Sequence, residues 1–210
     1  MPRYVATAAL AICSTLTFAC ANPAANKTKA NVSSATQESN TKPAEAETLA
    51  ITPENSKVEF VAAKITRSHQ GSFKKFTGTI DLVADHLENS RVSIDIDAAS
   101  VVTDTDELTA HLKTPDFFDV AKFPKATFVS TKIEPNGATY KVTGNFELHG
   151  IKKSISFPAT IQLAADSASV NAEFSINRKD FGLVYPGKAD DLIRDGVVIK
   201  LTLEVPRAKR

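Results

Sequence analysis

The sequence predicts an all-β fold of antiparallel strands interrupted by one short helix. Three observations lead there: hydrophobic alternation of period two from about Ser56 to Val205, turn residues between the alternating runs, and a helical pattern in a single connection. The alternation is clearest where Val92, Ile94 and Ile96 interleave with Ser93 and Asp95. It recurs where Tyr140, Val142, Gly144, Phe146 and Leu148 interleave with Lys141, Thr143, Asn145 and Glu147. Successive side chains of a strand point to opposite faces, so each such run hides one face and wets the other. Eight runs are expected, over residues 57–65, 73–83, 91–102, 126–133, 139–148, 154–163, 169–177 and 197–205. Pro135-Asn136-Gly137 and His149-Gly150 supply hairpin turn chemistry, so neighbouring strands should pair antiparallel.

The helix is expected after the third strand. Asp104 would cap it, with Glu107 three positions on as a capping box, and Leu108 and Leu112 would form its apolar edge before Thr114-Pro115 stops it. Beyond it, Phe117, Phe118 and Phe123 fall within seven residues of a connection, and three large rings need an apolar place. Eight antiparallel strands either close into a barrel, whose interior can hold one small ligand, or stack as a sandwich with a solid core. Alternation alone fits both.

Composition narrows the function. A chain of 210 residues with 42% hydrophobic content can bury a substantial core in one domain. Twenty-five basic against 24 acidic residues, a net charge of +1, exclude the electrostatic footprint of a nucleic-acid binder. Cys13 and Cys20 both lie in the first twenty residues, so the folded part has no disulfide, thiolate metal site or cysteine nucleophile. His69, His86, His111 and His149 show no metal-ligand spacing. They read as surface or hydrogen-bonded histidines, His111 within reach of Glu107 one turn earlier. Asp104-Thr105-Asp106 begins like a calcium loop but lacks the glycine and the distal glutamate. No G-x-S-x-G or phosphate-binding glycine loop occurs. Neither catalysis nor a cofactor nor a metal is therefore expected.

Residues 1–20 read as a signal peptide, with Arg3 followed by a largely apolar run over 5–18 that is too short for a spanning helix. Two processing routes stay open. Leu16-Thr17-Phe18-Ala19-Cys20 has the form of a lipobox in which Cys20 is acylated, although Thr17 stands where leucine is usual. Cleavage after Ala19-Cys20-Ala21 would instead release a soluble protein beginning at Asn22. Residues 21–50 contain no aromatic residue and almost no large aliphatic one, and are expected to be a disordered linker. A flexible chain of that length reaches about 30 Å, which suits a domain leashed to a membrane. The expected location is the periplasm, tethered to the outer membrane through Cys20, with the soluble periplasm as the alternative.

Several stretches together resemble the YceI family. They are His111-Leu112-Lys113-Thr114-Pro115-Asp116-Phe117-Phe118-Asp119-Val120, Phe123-Pro124-Lys125-Ala126-Thr127-Phe128 and Gly144-Asn145-Phe146-Glu147-Leu148-His149-Gly150. Phe174-Ser175-Ile176-Asn177-Arg178-Lys179-Asp180-Phe181-Gly182 completes the set. The resemblance implies a lipocalin-like eight-stranded barrel over residues 51–206 that binds polyisoprenoids or related long-chain lipids and has no general catalytic activity. Its partners would then be that lipid and the membrane, and a homodimer is compatible with the family.

On that reading the barrel interior presents Phe60, Ile80, Leu82, Ile94, Val142, Phe146, Phe157, Phe174, Ile176 and Leu201 to the ligand. Each also suits a plain core. Phe117, Phe118 and Phe123 either plug one end of the barrel or line its mouth. Arg178 either meets a polar head group with its fork of donors or forms an ion pair with Asp180, Asp190 or Asp191. The expected role is carriage or sequestration of a long-chain isoprenoid in the cell envelope. The alternatives are a structural or interaction barrel with a filled core, and an enzyme acting on a lipid or isoprenoid.

Overall fold

A computed structural model describes residues 22–38 and 41–207. Strands β1 (Asn31–Ser34), β2 (Glu47–Ile51), β3 (Ser56–Ala63), β4 (Ser68–Phe73) and β5 (Phe76–Leu82) come first. After β6 (Arg91–Asp97) and β7 (Val101–Thr103) the chain forms helix α1 (Asp106–Leu112). Then follow β8 (Lys125–Asn136), β9 (Thr139–Leu148), β10 (Ile151–Leu163) and β11 (Ser167–Asn177). A small hairpin of β12 (Gly187–Lys188) and β13 (Asp191–Leu192) precedes β14 (Gly196–Pro206).

All strand pairs are antiparallel, and the main sheet runs β2-β5-β6-β8-β9-β10-β11-β14-β3-β4-β7, with β1 added to β10. The eight expected strands are therefore too few, because the described residues place twelve in this sheet. All eight alternating segments are present. The third breaks at a 3₁₀ turn over Ala98–Ser100 into β6 and β7; the second corresponds to β5, and β4, which joins it through a break at Lys74-Lys75, lies outside the expected runs except for Phe73. Ser100 pins both breaks: its Oγ accepts from the Lys75 amide (3.0 Å) and donates to the Asp97 carbonyl (2.7 Å). The bend lets β4 pair with β3 while β5 pairs with β6. A sheet that opens at β2 thus curls round until β4 runs on into β5. The hydrogen-bonded path itself is open, with β2 and β7 as its end strands.

A second corner lies in β10. Its residues 151–159 pair with β9, and only residues 160–163 pair with β11. Residues 28–34 occupy the gap where β10 and β11 part. β1 pairs with Lys153–Ser156 of β10, while the Ala30 amide donates to the Ser175 carbonyl (2.8 Å) and the Ser175 amide to the Thr28 carbonyl (2.9 Å). The disordered linker expected over 21–50 is corrected here. Its low apolar content leaves it little to bury, yet backbone pairing with two strands that lack neighbours holds it, and Ala30 is buried. Asn145, read as an exposed strand position, is 2% exposed because this segment covers it. Its amide donates to the Thr36 carbonyl (2.6 Å) and Glu38 (2.8 Å), and its oxygen accepts from the Thr36 amide (2.9 Å).

The helix sits as expected but is capped differently. Thr105 is the N-cap, accepting from the Leu108 amide at 3.3 Å, because the Asp104 carboxylate turns to His69 Nδ1 at 2.8 Å. Asp104 and Glu107 therefore form no capping box. The β9–β10 turn follows the sequence, with φ of +52° at His149 and +73° at Gly150, the two-residue pattern of a type I′ hairpin.

Replacing Asn145 with Ala should leave the Thr36 amide and carbonyl without partners. Urea denaturation is expected to show a loss of about 1–3 kcal/mol, and limited proteolysis should cut faster between residues 26 and 38.

Candidate binding cavity

The curl leaves a space at its centre. The cavity is about 140 Å³ and is bordered by 24 residues. Only Glu59 and Arg178 among them are polar. The residues come from β3, β4, β6, β8, β9, β10, β11 and β14, from α1 and the segment after it, from the turn after β11, and from the loops on either side of the small hairpin.

Aromatic rings organise its walls. Phe157 and Phe174 stack with centroids 4.0 Å apart and planes within 9°, and Phe128 lies 5.7 Å from Phe157. Glycines make room for two of these walls. A Cβ at Gly71 would come within 2.2 Å of the Phe60 ring, and one at Gly144 within 2.5 Å of Phe128. A second cluster closes one end, where buried Phe60, Val101, Leu112 and Phe117 pack with Phe118, Tyr185 and Ile193. His111 and Tyr185 meet Phe117 edge-on at 5.0 and 5.3 Å. His111 does not reach Glu107; the chain folds back after α1 and sets Asp116 at 2.9 Å from its Nε2.

Ten of the fourteen residues expected to meet a ligand border the cavity: Phe60, Ile94, Phe117, Phe118, Phe146, Phe157, Phe174, Ile176, Arg178 and Leu201. Phe117 and Phe118 do both things weighed for them, lining the space and closing its end. Four are not among the lining residues. Ile80 and Leu82 face Leu49 and Glu47 of β2, a strand the sequence reading left inside the linker, and Leu49 and Ile51 fill that end of the core. Val142 is buried opposite Phe157 and Ile133 within the packed core. Phe123 sits outside against His149, with centroids 4.5 Å apart. Phe128 and Ala126 were missed, although period two along β8 places them on the inner face. Leu183 and Ile193 come from a loop with no periodic signal.

Arg178 is 4% exposed and serves the loop rather than solvent. Its guanidinium donates to the carbonyls of Leu183, Ile193 (3.4 Å) and Arg194 (3.2 Å), and to Asp195 at 3.4 Å. Asp195 therefore takes the ion-pair place considered for Asp180, Asp190 or Asp191. Burial pushes the Arg178 pKa below its usual value, and the Asp195 charge partly offsets this. Four of its five N–H groups are thus used inside the fold. Among the described residues no three His, Cys, Asp or Glu side chains converge as a metal site would require.

An antiparallel sheet curled about an apolar cavity, with one short helix at one end, is a lipocalin-like fold. The chain belongs to the YceI-like domain family, whose model matches residues 49–205. It is 35% identical over 130 residues to a UPF0312 protein of Pseudomonas fluorescens (strain SBW25), covering 59% of this chain and 68% of that one. A UPF0312 protein of Pseudomonas putida (strain W619) is 36% identical over 124 residues, and there the match spans 56% of this chain and 65% of the relative, just under two thirds. Among solved structures, Burkholderia cenocepacia BcnA superposes with a TM-score of 0.67 at 26% identity, covering 73% of this chain and 98% of that one. A polyisoprenoid binding domain from Saccharophagus degradans shares the fold, with a TM-score of 0.63 at 19% identity over 78% of this chain and 100% of that one.

Arg178→Met should loosen the loop from Leu183 to Asp195 and lower stability by roughly 1.5–3 kcal/mol, read by chemical denaturation. Lys179→Ala, which removes an exposed pair to Asp195 at 3.0 Å, should change stability by less than about 1 kcal/mol.

Proposed function

We infer that the protein holds a long-chain isoprenoid or related lipid in this cavity and carries or sequesters it in the bacterial cell envelope. The observation that carries the reading is the lining: 24 residues border the cavity, and all but Glu59 and Arg178 are hydrophobic. Such a space stays dry and takes apolar matter, since each buried methylene contributes about 0.8 kcal/mol. Most donors of Arg178 are spent on loop carbonyls, so recognition falls mainly on the tail and a head group remains outside. The fold shared with a polyisoprenoid binding domain is in keeping with this. No catalytic role is assigned to any residue.

One observation favours a structural barrel with a filled core. The cavity, at about 140 Å³, is close to the size of a dry space that holds one benzene-sized group, whereas ligand sites run to roughly 300–1,000 Å³. A long chain must therefore displace the rings at the closed end, and Phe118, only half-buried, is the one best placed to move.

The two readings part on an organic extract of the purified protein. A lipid carrier releases stoichiometric lipid to mass spectrometry, and release of none would sink the proposal. Ala62→Phe and Leu201→Phe, which narrow the cavity, should weaken long-chain lipid binding at least about tenfold while shorter chains still bind. Val142→Ala, outside the lining, should cost stability but leave the lipid profile unchanged.

We place the protein in the periplasm as an outer-membrane lipoprotein. Cys20 lies outside the described residues, and the support is the lipobox-like Leu16-Thr17-Phe18-Ala19-Cys20 with Ala21 after it. Cys20→Ser should move the protein from the membrane fraction to a soluble or unprocessed form. A native protein that fractionates as soluble with Asn22 at its N-terminus would refute the anchor.

A further inference from the structure

Among the described residues the exposed large hydrophobics are three: Ile65 (49%), Val184 (63%) and Leu192 (45%). They come from separate segments, yet they gather at one end of the barrel. The Ile65 amide donates to the Leu192 carbonyl at 3.1 Å, and Lys64 pairs with Ile193. Val184 follows Leu183, whose carbonyl Arg178 holds, and precedes Tyr185, which packs on Phe117. Val184 and Leu192 are each the chain neighbour of a cavity-lining residue, Leu183 and Ile193. The exposed side chains thus form a collar over the aromatic end of the cavity.

The amino-terminal end of the described chain arrives at this same end. A Cβ on Gly196 would come within 2.9 Å of the Ala24 methyl, and Gly196 follows directly on Asp195 of the Arg178 cluster. Two ion pairs flank the collar, Lys64 with Asp191 at 3.5 Å and Lys179 with Asp195 at 3.0 Å, and exposed Arg67, Lys188 and Asp190 stand beside it.

We propose that this collar docks on a lipid bilayer, with Ile65, Val184 and Leu192 inserted among the head groups and the closed end of the cavity turned toward the membrane. The inference rests on the lipid-holding function above and adds the route, since a chain would pass between bilayer and cavity without crossing water. A second copy of the chain fits the collar less well. A stable dimer buries roughly 800 Å² on each partner, more than three half-exposed aliphatic side chains supply, whereas a fluid bilayer accepts a few inserted groups. The inserted groups are aliphatic, so the contact with a neutral bilayer is apolar.

The test uses the chain beginning at Asn22, which contains every described element and neither Cys20 nor the apolar run before it. Flotation with neutral phosphatidylcholine vesicles compares it with the Ile65→Ser, Val184→Ser, Leu192→Ser variant, whose exposed positions leave the cavity lining and the fold intact by thermal unfolding. The parent should partition onto vesicles about a hundredfold more than the variant, with less than about a twofold change when salt is raised. Equal flotation of the two proteins overturns the docking surface. So does light scattering in which the parent is a dimer and the variant a monomer with unaltered flotation, because the collar then joins copies of the chain. Organic extracts of both proteins are analysed in parallel. Lipid in both with equal flotation means that docking is wrong while the lipid-holding function stands. Collar-dependent flotation with no lipid in either means the reverse.

Discussion

The structure depends on how β10 is shared. A strand of thirteen residues that paired with the same neighbour along its whole length would continue a gently twisted sheet. Instead β10 gives nine residues to β9 and four to β11, so the two neighbours diverge and the sheet is forced to curl. Divergence exposes backbone donors and acceptors on both strands, and buried or half-buried peptide groups left without partners are costly. Residues 28–34 supply those partners, so that a segment with almost no large side chains becomes part of the wall. The opposite corner, at Ser100, solves the same geometric problem with a side chain and two bent strands.

Curling sets what the interior can be. Once the inner faces of eight segments converge, alternation guarantees an apolar space, but the ends decide whether it is filled. At one end β2 lays Leu49 and Ile51 into the core and nothing remains open. At the other, the segment after α1 and the loop before β12 bring the rings of Phe117, Phe118 and Tyr185, and rings leave gaps. Arg178 turns that loop into a fixed lid by collecting carbonyls from both of its ends. A guanidinium can do this because its donors fan out in one plane and remain charged when buried.

What was legible in the sequence follows from the same physics. The eight segments were readable because burial of one face writes itself as period two, and Phe60, Ile94, Phe146 and Phe174 fall on the cavity side for that reason. Period two reports a face, not a depth along the strand, so Ile80, Leu82 and Val142 share the inner face yet lie where neighbours fill the space. The bend at Ala98–Ser100 leaves the alternation almost undisturbed, which hid the division of one run, while β4 escaped notice because Phe73 is its one large apolar residue. β1 was invisible because its contribution is backbone pairing, which no side chain records. Arg178 stood out at the end of β11, but Asp195 did not, since the loop that delivers it has no repeating pattern.

The wall segment also has a place in time. Thr36 meets Asn145 across 109 residues of chain, and Ser33 pairs with Ser154. The first described strand to be synthesised therefore has no partner until β9, β10 and β11 exist. Closing so long a loop is entropically slow and is rewarded only after the rest of the sheet has formed. Native contacts made last and held chiefly by backbone bonds are those that open first. Residues 28–34 are thus the joint at which this sheet finishes assembling, and the joint from which it would begin to come apart.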